Sequence, residues 1–335
     1  MKSLLTGVCF LLSVLFLTEQ GIAQSFWHQN PKTKDIGYYA IDGGIGVMNY
    51  FGDLNPLTQY VSTDITATRP GISIGVMRKM GSRLHIRVGA SWGRLTASDF
   101  KAADSEHPRH RYRYMRNAHF RSNIYELSAI GYYDLQPSKF VYYKRANATP
   151  YLVLGIAGFY HNPIAKTPEA FGNRWVALRS LSTEGQGLTR KSDGSSYRKK
   201  YSNFQVAIPV GAGLKFKLND RWDLWFDVSY RILFTDYIDD VSGNYANPND
   251  LPSDLSRAMA NRTLELTDAR KGGTRNVKVF EVNGIVPDQR GNPTINGFGN
   301  DGDKRGELKN MDTYIVTNIH LSYILNVGLK CPKFR

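Results

Sequence analysis

Between residues 204 and 234 the chain alternates apolar and polar side chains through two consecutive stretches, each far longer than an ordinary strand. Phe204, Val206, Ile208, Val210, Ala212, Leu214, Phe216 and Leu218 share one face, and Gln205, Ala207, Pro209, Gly211, Gly213, Lys215 and Lys217 share the other. After Asn219-Asp220-Arg221 the pattern resumes, with Trp222, Leu224, Phe226, Val228, Tyr230, Ile232 and Phe234 set against Asp223, Trp225, Asp227, Ser229, Arg231, Leu233 and Thr235. A period of two identifies strands, and so short a break makes them a hairpin. Strands of a soluble sheet run about five or six residues, whereas a tilted strand crossing a bilayer needs about nine to eleven plus interfacial ends. The pattern therefore points to a membrane barrel.

Six further segments alternate in the same way, near 37–50, 70–80, 83–95, 122–135, 150–160 and 312–327. The expected fold class is all-β: an eight-stranded antiparallel transmembrane outer-membrane β-barrel with long extracellular loops. Short connections at Gly81-Ser82 and 219–221, and an intermediate one at 136–149, would lie on one side. Long ones at about 51–69, 96–121, 161–200 and 235–311 would lie on the other, the asymmetry of outer-membrane barrels. With an even strand number both termini fall on the short-turn, periplasmic side. Residues 1–23 read as a secretory signal peptide: Lys2, an apolar run from Leu4 to Leu17, and Gly21-Ile22-Ala23 before Gln24. Residues 24–335 then form the barrel.

Composition narrows the function. Charged residues are 21% and aromatic residues 12%, which excludes a disordered chain. The net charge is +14, and loss of Lys2 with Glu19 leaves it unchanged. In an exported chain such an excess meets lipid, lipopolysaccharide, glycan or protein, so no nucleic acid is expected as a partner. No cofactor is expected, and no metal or catalytic site. G-x-S-x-G occurs at Gly71–Gly75 and Gly89–Gly93, but within strands and without the following helix that a nucleophile elbow needs. His107 and His110 lack partner ligands, and Lys304 and Arg305 spoil a calcium-like reading of Asp301-Gly302-Asp303. His161 and Asp236 are the one pair at the strand ends with acid–base potential, and nothing in their spacing requires them to meet.

If the apolar set faces lipid, the lumen holds Asp42, Glu126, Asp223 and Asp227 against Arg87, Lys215, Lys217 and Arg231, with His85 and His320. Eight strands leave room only for side chains, so a filled, salt-bridged interior is expected. Gly44, Gly46, Gly75, Gly89, Gly211 and Gly213 also point inward, making room for large neighbours. Outside, residues 107–121 form a basic loop with Arg109, Arg111, Arg113, Arg116 and Arg121 and no acid, suited to phosphates or acidic proteins.

Four strings carry a resemblance: Met48-Asn49-Tyr50-Phe51-Gly52-Asp53-Leu54-Asn55-Pro56, Thr183-Glu184-Gly185-Gln186-Gly187-Leu188, the stretch from Phe234-Thr235-Asp236-Tyr237-Ile238-Asp239-Asp240 to Tyr245, and Cys331-Pro332-Lys333-Phe334. Together they resemble the PorG-like outer-membrane barrel proteins of Bacteroidota, associated with the type IX secretion system. The resemblance covers most of the chain after the signal, although loops 161–200 and 235–311 are longer than the family leads one to expect. It implies a non-enzymatic barrel that tethers a periplasmic ring, made of a lipoprotein and its partner of the PorK and PorN type, to the outer membrane. The competing reading is a stand-alone surface barrel whose basic loops bind lipopolysaccharide, glycan or an extracellular protein. Gly52 and Asn55-Pro56 end the first strand, and Asp236, Asp239 and Asp240 are read as caps rather than as metal ligands. Beyond the last strand, Cys331, Lys333, Phe334 and Arg335 form the candidate periplasmic partner contact. Cys331 would be the sole thiol after signal removal.

Overall fold

The computed structural model describes residues 37–54, 67–103, 105, 111–138, 144–276, 278–307 and 311–325. The signal segment 1–23, Arg109, and the tail residues Cys331, Lys333, Phe334 and Arg335 lie outside them. The strands are β1 (Tyr39–Phe51), β2 (Arg69–Met80), β3 (Leu84–Ser98), β4 (His119–Asp134), β5 (Ala148–Tyr160), β6 (Ile164–Lys166), β7 (Trp175–Ala177), β8 (Phe204–Lys217), β9 (Trp222–Leu233), β10 (Ile285–Pro287), β11 (Pro293–Ile295) and β12 (Thr313–Leu325).

Eight of these close a ring. Hydrogen bonds run from β1 through β2, β3, β4, β5, β8, β9 and β12 back to β1, antiparallel at every step. Closure leaves no unpaired strand edge, which a bilayer would not tolerate. Burial alternates along each strand, and the outward side chains are apolar: Ile45 is 68% exposed, Ile74 68%, Leu127 70% and Phe204 73%. Apolar surface on that scale would drive aggregation in water. Aromatic rings border it at both ends, Tyr39, Tyr133, Trp222 and Tyr323 towards the short turns and Trp92, Tyr125, Tyr160 and Phe204 towards the long loops. At the short-turn border, Arg78 lies over the Tyr39 ring and Arg83 over the Tyr133 ring, and Arg221 donates to the Tyr323 hydroxyl. This is a lipid-facing belt.

At the short-turn end, residues 81–83, 135–147 and 218–221 connect the strands, with Gly81 at φ 81° in the first turn. At the other end the connections are 52–68, 99–118, 161–203 and 234–312. The last two are folded. β6 pairs antiparallel with β4 beyond the end of β5 and carries β7, while 234–312 includes helices 254–260 and 278–283 and the β10–β11 hairpin. Ile238, Val241 and Met259 from that segment pack in one cluster with Met48, Phe120, Ile124 and Phe159 of the barrel wall, so it continues the barrel core as a cap. Among the described residues no helix is long and apolar enough to cross a membrane.

Candidate functional site

The lumen is stacked in layers. At the short-turn mouth, Lys215 donates to Asp134 at 2.8 and 3.0 Å, His85 Nε2 lies 3.0 Å from the same carboxylate, and Lys79 donates to Ser138. Arg145, from the β4–β5 connection, reaches across to Asp223 at 2.9 Å and to the carbonyls of Asn219 and Asp220. Above this lies an aromatic slab. Trp225 packs against Tyr132, Tyr151 and His85 with ring centroids 5.1–5.5 Å apart, and the Lys215 ammonium sits 4.7 Å from its ring. Next comes a charged layer in which Arg87 grips Asp42 through Nε and Nη2 at 2.6–3.0 Å, and His320 lies 3.1 Å from Asp227. Then Arg231 clasps Glu126 at 3.0 and 3.1 Å, with Tyr314 donating to the same carboxylate at 2.8 Å. The apolar cluster of Met48, Leu95, Ile124 and Val316 closes the column.

Four buried carboxylates, Asp42, Glu126, Asp134 and Asp223, thus pair with four buried cations, Arg87, Arg231, Lys215 and Arg145, while Asp227 faces His320 and Lys79 donates to Ser138. Pairing of this kind is what makes buried charge tolerable.

Both G-x-S-x-G strings are packing devices. Gly75 and Gly89 are cross-strand partners, and the Arg87 guanidinium occupies the space beside both. A Cβ would approach it to 2.7 Å at Gly75 and 2.6 Å at Gly89. A Cβ on Gly44 would meet the His320 ring at 2.6 Å. Ser73, the serine of the first string, lies 3.3 Å from His320 Nδ1, with Asp227 beyond the other ring nitrogen. The order serine–histidine–aspartate is that of a hydrolase triad. Here Asp42 also stands 3.5 Å from Nδ1, and Ser73 is buried in the packed lumen. A substrate has no approach.

Over the long-loop end three of the four resemblance strings converge. Tyr50 Oη lies 2.8 Å from Asp239 Oδ2 and 2.7 Å from Asp312 Oδ1. A phenol has one proton to give, so the second contact requires a protonated carboxyl donating back to the phenol oxygen. The carboxyl groups agree. Burial, followed by the Asp53 charge, pushes Asp239 well above the ordinary range, and burial with the charges of Asp239 and Asp236 does so for Asp312. Glu184 accepts from the Ser242 and Gly243 amides and from Arg305 at 2.9 Å. Asp240, pushed up to about 6 by burial, accepts from Thr183 and Tyr201. Asp236 accepts from Ser242 and is pushed up to about 8, mainly by burial. Asp53 receives the Glu307 amide, and its carbonyl receives Arg116. Of the three aspartates read as caps, Asp239 accepts a backbone amide, that of Val241, whereas Asp236 and Asp240 accept side-chain hydroxyls. Among the described residues no group of His, Cys, Asp or Glu side chains is arranged to hold a metal ion.

No family model matches this sequence, and no curated protein matches it. Solved structures do. The chain is similar to the outer-membrane protein OprG of Pseudomonas aeruginosa, at 8% identity and a TM-score of 0.36 over 87% of this chain and 97% of that one. It is also similar to Neisserial surface protein A, at 8% identity and 0.32 over 87% and 97%. A third is Ail, the attachment invasion locus protein of Yersinia pestis, at 8% and 0.32 over 86% and 99%. Likeness at that level says nothing of ligand or partner, and the assignment stands on strand closure and the lipid-facing belt. The chain is an outer-membrane-type β-barrel.

The sequence-derived residues fall into distinct places in this barrel. Asp42, Arg87, Glu126, Lys215, Asp223, Asp227 and Arg231 are buried in the lumen. Lys217 is at its rim, paired at 3.0 Å with the exposed turn residue Asp220. Asp134, Lys79 and Arg145 complete the network. The strand parity that marks Glu126 and Gly75 also marks Asp134 and Lys79, whereas Arg145 sits in a connection with no periodicity to betray it.

The basic loop requires a correction. Residues 111–116 form a helix, and the arginines do not make one exposed patch. Arg113 and Arg116 are buried; Arg116 holds Asp99 at 2.7 Å and the carbonyls of Asp53 and Arg305, because the acid-rich cap needs internal cations. Arg111 is half-buried, and Arg121 lies on the outer barrel face. Nor do His161 and Asp236 form an acid–base pair. His161 stacks on Tyr201 with its Nε2 3.1 Å from the Ser202 carbonyl, and burial lowers it to about 4.

Proposed function

We propose that this barrel is a non-enzymatic anchor in the outer membrane, organising a secretion-system complex of the type IX kind by tethering a periplasmic ring lipoprotein and its partner. The observation that carries the reading is the lumen. Successive layers of paired charge and packed aromatics occupy the interior, so a solute has no path and a substrate no pocket. A barrel with its interior committed to itself acts through its outer surfaces. The long, folded connections suit the cell exterior and the short turns the periplasm. The periplasmic face then comprises the turns at 81–83 and 218–221, the 135–147 connection, and the basic tail with Cys331, Lys333, Phe334 and Arg335. The three strings before the tail lie at the opposite end, where they hold the cap together, so the docking contacts are assigned to other residues.

The test is affinity purification of the tagged full chain from native membranes in mild detergent. The reading expects a PorK-type lipoprotein and its PorN-type partner to be recovered in fixed ratio. Recovery of the barrel with lipid alone would reject the tether in favour of a stand-alone surface barrel.

A further inference from the structure

Two arginines on the outer wall of the barrel have no carboxylate. Arg94 on β3 and Arg121 on β4 both point away from the lumen at the long-loop end, and among the described residues neither forms an ion pair. The register pairs Arg94 with Asn123 and Thr96 with Arg121, so the two are diagonal neighbours on one face, about 7–8 Å apart. Each is held in place by a neutral group. Arg94 Nε donates to Asn123 at 2.9 Å, and the Arg121 guanidinium lies 4.0 Å from the centre of the Trp175 ring. Two oriented guanidinium groups with no counter-charge repel each other, and a phosphate offers the bidentate partner that both lack.

The same two strands continue this pair into an apolar track. Directly below on the outward face come Trp92 and Tyr125, which are cross-strand partners, and then Ala90 and Leu127. Around the barrel at that level small and large side chains alternate, Ala90 beside Leu127 beside Gly158 beside Val206. The small residues open a groove of about 820 Å³. A soluble anion has no use for such a groove, but a lipid chain does. Cation, aromatic border and apolar slot follow one another in the order of an amphiphile's phosphate, glycerol or sugar, and acyl chain.

We infer that Arg94 and Arg121 bind the phosphate of a phosphorylated lipid of the leaflet at the long-loop end, with an acyl chain in the groove over Ala90 and Gly158. The inference rests on the proposed orientation for its choice of lipid, a phosphorylated glycolipid of the outer leaflet, and is independent of the tether. The experiment uses the purified, folded full chain in detergent micelles, titrated with bisphosphorylated lipid A, its dephosphorylated form, and inorganic phosphate. Variants are the double change Arg94→Gln with Arg121→Gln, and Ala90→Phe, each first checked for heat-modifiable migration. Bisphosphorylated lipid A should bind. Its affinity should fall about tenfold or more in the double variant, the scale of losing charge-assisted hydrogen bonds, and fall also when Phe fills the groove. Dephosphorylated lipid binding as tightly as the phosphorylated form, or wild-type affinity in the double variant, would overturn the inference. So would inorganic phosphate that binds as tightly as the lipid, since the site would then be one for a soluble anion. Because no periplasmic partner is present, either result leaves the affinity-purification test of the tether untouched.

Discussion

Replacing Arg231 with Leu removes the cation of the deepest ion pair in the barrel. Its guanidinium makes two bonds to Glu126, at 3.0 and 3.1 Å, and one of 2.6 Å to Ser229. Glu126 keeps only the Tyr314 hydroxyl, and both members of the pair are almost wholly buried. Leaving one charge of a buried pair without its partner costs about 3–5 kcal/mol, while replacing both with apolar groups of similar size is often nearly neutral. Arg231→Leu should therefore lower stability by about 3–5 kcal/mol, Glu126→Leu by a similar amount. The double variant should cost well below the sum of the two, with a coupling of about 2 kcal/mol or more. The assay is denaturant titration in micelles, following the heat-modifiable folded band on gels. Lys304→Ala is the control, since its 3.4 Å pair with Glu307 is exposed and should contribute under about 1 kcal/mol. An Arg231→Leu cost no larger than the control, with additive singles, would refute a dry, charge-paired lumen.

Two other perturbations probe different levels of the molecule. The cap should loosen as pH rises towards 8. Asp236 is held neutral up to about pH 8, so its contribution is complete below the ordinary aspartate range, declines as pH rises, and is gone above about 8. Proteolysis of the long loops should accelerate between pH 5 and pH 8, and Asp236→Asn should flatten that dependence; an unchanged profile in the variant would assign it elsewhere. Gly89→Val should displace the Arg87 guanidinium and impair folding, whereas Gly43→Val, which points to lipid with open space around it, should be tolerated. Equal folded yields from the two variants would contradict the packing role given to the second G-x-S-x-G string.

Side-chain parity is why so much of the barrel can be read from its sequence. Once the apolar set of 204–218 is assigned to lipid, the period of two places Lys215, Asp223, Asp227 and Arg231 inside without further information. Who meets whom is another matter. Asp42 on β1 reaches Arg87 on β3 past Gly75 of the intervening β2, a contact set by the tilt and stagger of the closed ring rather than by any spacing along the chain. The cap is less legible still. Gly52 and the Asp239-Asp240 pair read locally as turn and capping residues. That Tyr50 binds Asp239 and Asp312, 189 and 262 positions away, depends on closure of β1 against β12 and on the fold of the last long connection. The basic run at 107–121 misleads because charge in sequence carries no sign of burial: Arg116 serves Asp99, and among its described arginines only Arg121 reaches the outer wall.

Ion conductance through the single purified barrel in a planar lipid bilayer tests the central claim, a lumen closed by its own side chains, most directly. The ion-paired layers around Asp134, Asp42 and Glu126, with the Trp225 slab between the first two, predict no stable current steps at either polarity. Reproducible porin-like steps from folded protein would contradict the closed lumen, and with it the reading of this barrel as an anchor rather than a channel.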